Sequence, residues 1–153
     1  MSPIAVPRAR LLEPRLPDDA AVKLIGLGGV GHIVARYAAL FLASLGSEVR
    51  FVLIDGDRFE PSNASRMFFG SGGNKAAVLR ADLLPRFAET SLSIIAIEEF
   101  LTPDNAGRLI QEDDLVLLTV DNHATRKLAN DRCAQLRSVC LISGGNDGVG
   151  KDG

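Results

Sequence analysis

The chain has 153 residues, 46% of them hydrophobic, which is enough for one domain with a packed core. Its formal charge of −2 argues against nucleic acid as the main partner, because phosphate-backbone binding needs a basic surface. The two cysteines, Cys133 and Cys140, make neither a CxxC metal knuckle nor a disulfide framework, which points to the cytoplasm, and no apolar stretch nears the ~20 residues that a bilayer helix needs.

Residues 1–20 contain Pro3, Pro7, Pro14 and Pro17 among Arg8, Arg10 and Arg15, a composition that resists helix and sheet and predicts an extended arm. Residues 21–25 read as a short buried strand. Glycines follow at once, then a helical pattern over residues 29–45 that Gly46 stops. Residues 49–54 form a second apolar strand ending in Asp55-Gly56-Asp57, after which a polar loop leaves regular structure. The spacing of Val78, Leu79 and Leu83 predicts a helix over residues 75–86, and the β-branched run 91–97 a strand. Thr102-Pro103-Asp104 is expected to open a short helix, with threonine as cap and proline in the first turn. A fourth strand over 115–120, a helix over 122–137 and a fifth strand over 139–143 complete the pattern. Strands that are apolar runs, alternating with helices, predict an α/β, Rossmann-like fold: a mainly parallel sheet with helices on both faces.

Gly26, Gly28, Gly29 and Gly31 make a GxGGxG loop between a strand and a helix. In that setting a tight turn delivers backbone N–H groups and the positive end of a helix dipole to phosphates, and side chains would block the approach. Asp55, at the end of the second strand, stands where a carboxylate accepts hydrogen bonds from ribose hydroxyls. Loop and carboxylate together indicate a nucleotide without distinguishing ATP from a dinucleotide.

The run from Asp57 to Arg66, which contains Asn63, and the following Gly72-Gly73-Asn74-Lys75 are similar to the DxDxxxxSNxxRQ and GxxK stretches of the ThiF/MoeB/ubiquitin-activating superfamily. The stretch from Leu118 to Arg126, with Asp121 and Asn122, resembles that superfamily's strand-ending ATDNxxxR. The resemblance runs from residue 21 to about residue 148, and the domain is assigned to residues 21–153. It implies an ATP- and Mg²⁺-dependent adenylyltransferase acting on the C-terminal glycine carboxylate of a ubiquitin-like or sulfur-carrier protein ending in Gly-Gly. By the same resemblance the ribose falls to Asp55 and the phosphates to Asn63, Arg66 and Lys75, with Asp57 and Asn122 beside the nucleotide and Asp121 on magnesium. A homodimer is a further arrangement that it leaves open.

The chemistry explains these residue types. A carboxylate attacking the α-phosphate of ATP adds negative charge to an anionic centre, so fixed cations must offset it. Lys75 is a point charge, Arg66 a planar fork and Asp121 a hard oxygen ligand for Mg²⁺. Taken singly, Arg66 and Lys75 also fit solvated surface charges, Asp121 an N-cap, and Arg126 an ion pair on a helix surface. His32 and His123 are expected to be structural or exposed, since this chemistry needs no histidine base, and Cys133 and Cys140 to be buried, inert thiols.

Many members of the superfamily carry further strands, a reactive cysteine and paired CxxC zinc motifs. None can be assigned here, so the domain is expected to be incomplete at its C-terminus, with no zinc site. The superfamily also often places an arginine on an N-terminal helix that reaches a partner subunit's ATP; Arg8, Arg10 and Arg15 are candidates in a segment without that helix pattern. Two other functions compete: an NAD-binding oxidoreductase domain using the same loop and Asp55, and an interaction protein that keeps the fold without turnover.

Overall fold

A computed structural model describes Leu16 and residues 21–145. The expected arm, with Arg8, Arg10 and Arg15, lies outside the described residues except for Leu16, which packs against the core; the tail from residue 146 lies outside them too.

In chain order the elements are β1 (Ala21–Ile25), α1 (Gly31–Ser44), β2 (Val49–Ile54), β3 (Arg58–Phe59), a 3₁₀ turn (Pro61–Asn63), β4 (Gly73–Asn74), α2 (Lys75–Phe87), β5 (Leu92–Ile97), α3 (Ala106–Leu109), β6 (Leu115–Leu118), α4 (His123–Ala134) and β7 (Cys140–Ser143). The five longer strands form one parallel sheet in the order β5-β2-β1-β6-β7. The order reverses between β1 and β6, since the chain leaves β1 toward β2 and returns to its other side. In open α/β sheets a ligand crevice lies at that switch point.

Alternation along the central strands sends side chains to two separate cores. Val22 and Leu24 of β1, with Phe51 and Leu53 of β2, pack under Ala35, Ala39 and Leu42 of α1 and Leu79, Leu83 and Phe87 of α2. Ala21, Ile25, Val52 and Ile54 face the other way, against Ala106 and Leu109 of α3 and Ala129 and Cys133 of α4. Both faces are therefore covered, as an all-parallel sheet requires. Lys23, in the middle of buried β1, faces α3. Its Nζ donates to the Leu109 carbonyl at 2.8 Å and pairs with Asp114 at 3.1 Å, which is how a charge is tolerated there.

Several sequence expectations need correction. The polar stretch after Asp57 is not wholly irregular: β3 and β4 pair antiparallel, Arg58 opposite Asn74 and Phe59 opposite Gly73. Thr102 does not cap α3 through its side chain. Asn105 Oδ1 instead accepts the Thr102 N–H at 2.8 Å, and the helix proper is Ala106–Leu109. The first helix begins at Gly31, two residues later than its periodicity indicates, because the glycine loop occupies the intervening turn. Cys133 is buried but Cys140 is exposed, since among the described residues β7 pairs only with β6 and forms an edge of the sheet. Gly46 does end the helix, with φ +68° and its N–H donating to the Ala43 carbonyl.

Candidate nucleotide site

A cleft of about 350 Å³ opens at the carboxyl ends of β1, β2 and β6. It is lined by Gly26, Gly28, Gly29, Asp55, Asp57, Lys75, Asp121 and Asn122 among the expected residues, with Phe100, Leu101 and Val120 as apolar wall. Gly31, Asn63 and Arg66 are not part of the lining.

The four loop glycines divide into two kinds. Gly26 has φ +92°, and a Cβ there would press on Val120; at Gly31 a Cβ would overlap the Gly26 carbonyl oxygen. These two let the strand, the helix and the β6 end close on one another. A Cβ on Gly29 would meet nothing within 4 Å, and one on Gly28 only the tip of Met67 at 4.0 Å. Those two positions therefore leave open the concave surface of the cleft, where a phosphate could lie against bare backbone.

Asp55 is buried, and both its carboxylate oxygens are engaged. Oδ2 accepts the Leu27 N–H at 2.6 Å and Oδ1 the Asp57 N–H at 2.8 Å, which ties the glycine loop to the end of β2. Each oxygen keeps one lone pair for a further donor. Thr119 fixes the loop from the other side: its hydroxyl donates to the Gly26 carbonyl at 2.5 Å, and its N–H to that of Ile25 at 2.9 Å.

Asn74 connects the acidic turn to α2. Its Oδ1 accepts from Ala76 and Ala77, capping the helix, while its Nδ2 donates to the Asp55 carbonyl at 2.8 Å and to that of Asp57 at 3.2 Å. All four hydrogen-bonding positions of the amide are used. Lys75 follows, buried, with its ammonium paired to the Asp57 carboxylate. The Lys75 ammonium beside Asp57 holds that carboxyl below its ordinary value, against a smaller opposing effect of burial.

Asp121 and Asn122 stand on the loop after β6. The residue that caps α4 is Asn122, whose Oδ1 accepts the Thr125 N–H at 2.8 Å, and this leaves the Asp121 carboxylate uncommitted among the described residues. Arg126 supports the loop from below by donating Nε to the Val120 carbonyl at 3.0 Å. No cluster of three His, Cys, Asp or Glu side chains suited to a metal occurs among the described residues. One carboxylate facing the cleft fits Mg²⁺, which takes one or two protein carboxylates and completes its shell with phosphate oxygens and water.

Asn63 Oδ1 accepts the Glu60 N–H at 3.2 Å, closing the 3₁₀ turn. Arg66 is exposed, and its guanidinium has no partner among the described residues. His32 is buried beside the glycine loop and His123 is exposed. Sequence reasoning missed Thr119 and Asn74. The one available signal was that Asn74 immediately precedes a helical run, a capping position.

Sheet order, glycine loop and cleft define a protein of the doubly wound, Rossmann-like α/β class. The chain belongs to the ThiF family, whose model matches residues 17–151. It is 37% identical over 131 residues to the adenylyltransferase and sulfurtransferase MOCS3 of Drosophila ananassae, covering 82% of this chain and 27% of that protein. To the vegetative protein HesA of Trichormus variabilis it is 29% identical over 133 residues, 86% of this chain and 48% of HesA. Among solved structures, Escherichia coli TcdA, a tRNA N6-threonylcarbamoyladenosine dehydratase in complex with AMP, matches with a TM-score of 0.66 and 25% identity, over 85% of this chain and 52% of that one. E. coli MccB, solved with MccA, matches with a TM-score of 0.63 and 26% identity, over 84% and 37%. The chain thus spans about a quarter of MOCS3 and about half of HesA. No helix among the described residues is long and apolar enough to cross a membrane.

Proposed function

We propose that this chain carries the ATP-binding half of an adenylyltransferase that activates the C-terminal glycine carboxylate of a ubiquitin-like or sulfur-carrier protein, in the cytoplasm. The observation that carries the reading is the grouping around one cleft of bare backbone at Gly28 and Gly29, the buried cation Lys75 and the uncommitted carboxylate Asp121. MOCS3 is named for adenylyl transfer, and TcdA was solved with AMP.

In this reading the glycine loop holds the phosphates by backbone N–H groups and Asp55 accepts a ribose hydroxyl on its remaining lone pairs. Lys75 transfers its charge from Asp57 to a phosphate oxygen and offsets the negative charge that grows as the carrier's carboxylate attacks the α-phosphate and pyrophosphate leaves. Mg²⁺, held by Asp121, would neutralise phosphate charge. The reaction requires positioning more than proton transfer, consistent with a cleft that contains no histidine. Arg66 and Asn63 reach the phosphates in this reading only if the segment between β3 and β4 closes over the cleft. A second copy is a further proposed partner, supported by Ile33, Tyr37, Leu40 and Phe41 exposed on α1.

The test is ATP–pyrophosphate exchange by the full-length protein with a carrier ending in Gly-Gly, which Asp121→Ala should abolish. Tight ATP binding indifferent to Lys75→Ala would count against the assignment. The chain has no tryptophan, so bound NADH is readable by its own fluorescence, and a preference for NADH over ATP would favour an oxidoreductase domain. The position of Arg66 outside the lining favours one second reading, a nucleotide-binding interaction protein without turnover; carrier binding with no exchange under any condition would support it.

A further inference from the structure

His32 is the second residue of α1, 5% exposed, and plays no part in the chemistry described above. Its Nδ1 lies 3.0 Å from the Gly28 carbonyl oxygen, which also accepts the His32 backbone N–H at 3.1 Å. A carbonyl only accepts, so Nδ1 carries the proton in this contact. The ring is held on its outer side by Phe69, stacked at 5.9 Å between centroids, and Phe69 in turn stacks on Phe59 of β3 at 4.5 Å.

No cis peptide occurs among the described residues, so the Gly28–Gly29 peptide is trans. Its carbonyl and its N–H then point in opposite directions. Two donors from His32 turn the carbonyl inward to the first turn of α1, so the Gly29 N–H faces away from the helix, on the side where Gly28 and Gly29 line the cleft. Two adjacent glycines offer this peptide little steric resistance to rotation, so the imidazole donor reinforces the single main-chain bond from the His32 N–H. We propose that His32 is a positioning residue for anion binding: its Nδ1–H locks the Gly28–Gly29 peptide with the Gly29 N–H presented to a nucleotide phosphate. This rests on the nucleotide reading of the cleft.

Two variants of the 153-residue chain separate the lock from mere packing. His32→Leu keeps an apolar side chain of similar size and removes the donor. In His32→Asn the amide nitrogen is as many bonds from the backbone as Nδ1 and can donate to the same carbonyl. ATP binding is measured by calorimetry, with thermal unfolding followed on the same samples. His32→Leu is expected to weaken ATP binding by about five- to ten-fold, the scale of one hydrogen bond, and His32→Asn to restore it to within about two-fold of wild type. The order of affinities, Asn above Leu, should hold even if Asn is the less stable protein, because a role in packing alone would favour the apolar variant. Long-range proton–nitrogen NMR of the nucleotide-free protein should find the proton on Nδ1. Equal ATP affinity for wild type and His32→Leu, no rescue by His32→Asn, or a proton on Nε2 alone would each overturn the proposal while leaving the nucleotide site intact. Failure of the wild-type chain to bind ATP at all would overturn the nucleotide reading, and this proposal with it.

Discussion

The Lys75 ammonium is paired with the Asp57 carboxylate, and the Lys75 backbone N–H donates to the Asp57 carbonyl at 2.9 Å, so the two residues are joined through main chain and side chain alike. Lys75 is 7% exposed, whereas 56% of the Asp57 side chain is exposed at the cleft rim. In the proposed function an arriving phosphate would compete with Asp57 for a cation that is already in place. Lys75→Met, which keeps most of the apolar stem, is expected to weaken ATP binding by about ten-fold or more, the scale of about 1.5–3 kcal/mol for a hydrogen bond to a charged group. Calorimetry on the two proteins reads this directly; equal affinities would remove Lys75 from the phosphate site.

The same pair gives a pH dependence with a definite sign. Its lysine partner holds the folded-state pKa of Asp57 below its ordinary value of 3.8 in the unfolded chain. The pair's contribution is therefore fully present above about that unfolded value and is lost as pH falls through the lower folded value. Because the carboxylate is more than half exposed, solvent screening limits the effect to under about 1 kcal/mol. Urea unfolding should show Asp57→Asn less stable than wild type at pH 7, with the gap shrinking as pH falls below about 3.8. A gap that is constant with pH would mean the pair contributes nothing through its charge.

Asn74 is expected to be the most stability-sensitive polar residue near the site. Asn74→Ala removes the cap of α2 and the side-chain donor to the Asp55 carbonyl, while the Asp57 carbonyl keeps the Lys75 N–H, a loss of about 2 kcal/mol or more. Asn74→Asp preserves the cap acceptor but brings a carboxylate against those two carbonyls, so it should recover little of the loss. Chemical denaturation of both variants tests this; full recovery by aspartate would show that capping alone matters.

How far the sequence reveals this architecture depends on the range of the interactions. Buried runs such as residues 21–25 and 49–54 are legible because a strand covered on both faces is apolar throughout, and Gly46 because a left-handed helix end selects glycine locally. The two-residue strands β3 and β4 are too short to carry a period. Thr119 reaches the Gly26 carbonyl across 93 residues and Asn74 that of Asp55 across 19, so nothing in their neighbours signals either bond. The exposure of Cys140 follows from which strand ends the sheet, a property of strand order and not of the apolar run itself. The motif residues fall into the same division. Asp55, Lys75 and Asp121 sit next to strand or helix ends and arrive at the cleft with them, whereas Asn63 and Arg66 follow a loop whose path their sequence does not encode.

The two kinds of glycine should behave oppositely. Gly31→Ala forces a Cβ into the Gly26 carbonyl, and the backbone must shift, at a cost of about 1–3 kcal/mol in stability. Gly29→Ala meets no protein atom within 4 Å, so the fold should be indifferent or slightly stabilised, while the methyl intrudes on the phosphate surface. Thermal unfolding paired with ATP calorimetry separates the two. A Gly29→Ala protein that binds ATP as well as wild type would mean the open space beside that glycine is not where phosphate lies.

Asp121 offers the sharpest separation of binding from metal dependence. Its carboxylate lines the cleft, is exposed, and has no partner among the described residues, so Asp121→Asn should leave stability unchanged within about 0.5 kcal/mol. ATP affinity in excess chelator should likewise be unchanged or slightly higher, since a negative charge near the phosphates has been removed. Adding Mg²⁺ should then tighten ATP binding to the wild-type protein but not to the variant, because the asparagine amide is a poorer, uncharged ligand for a hard cation. Titrating Mg²⁺ at fixed ATP with both proteins measures the difference. An equal magnesium effect in the two would show that the ion is held by the phosphates alone and that Asp121 serves another purpose.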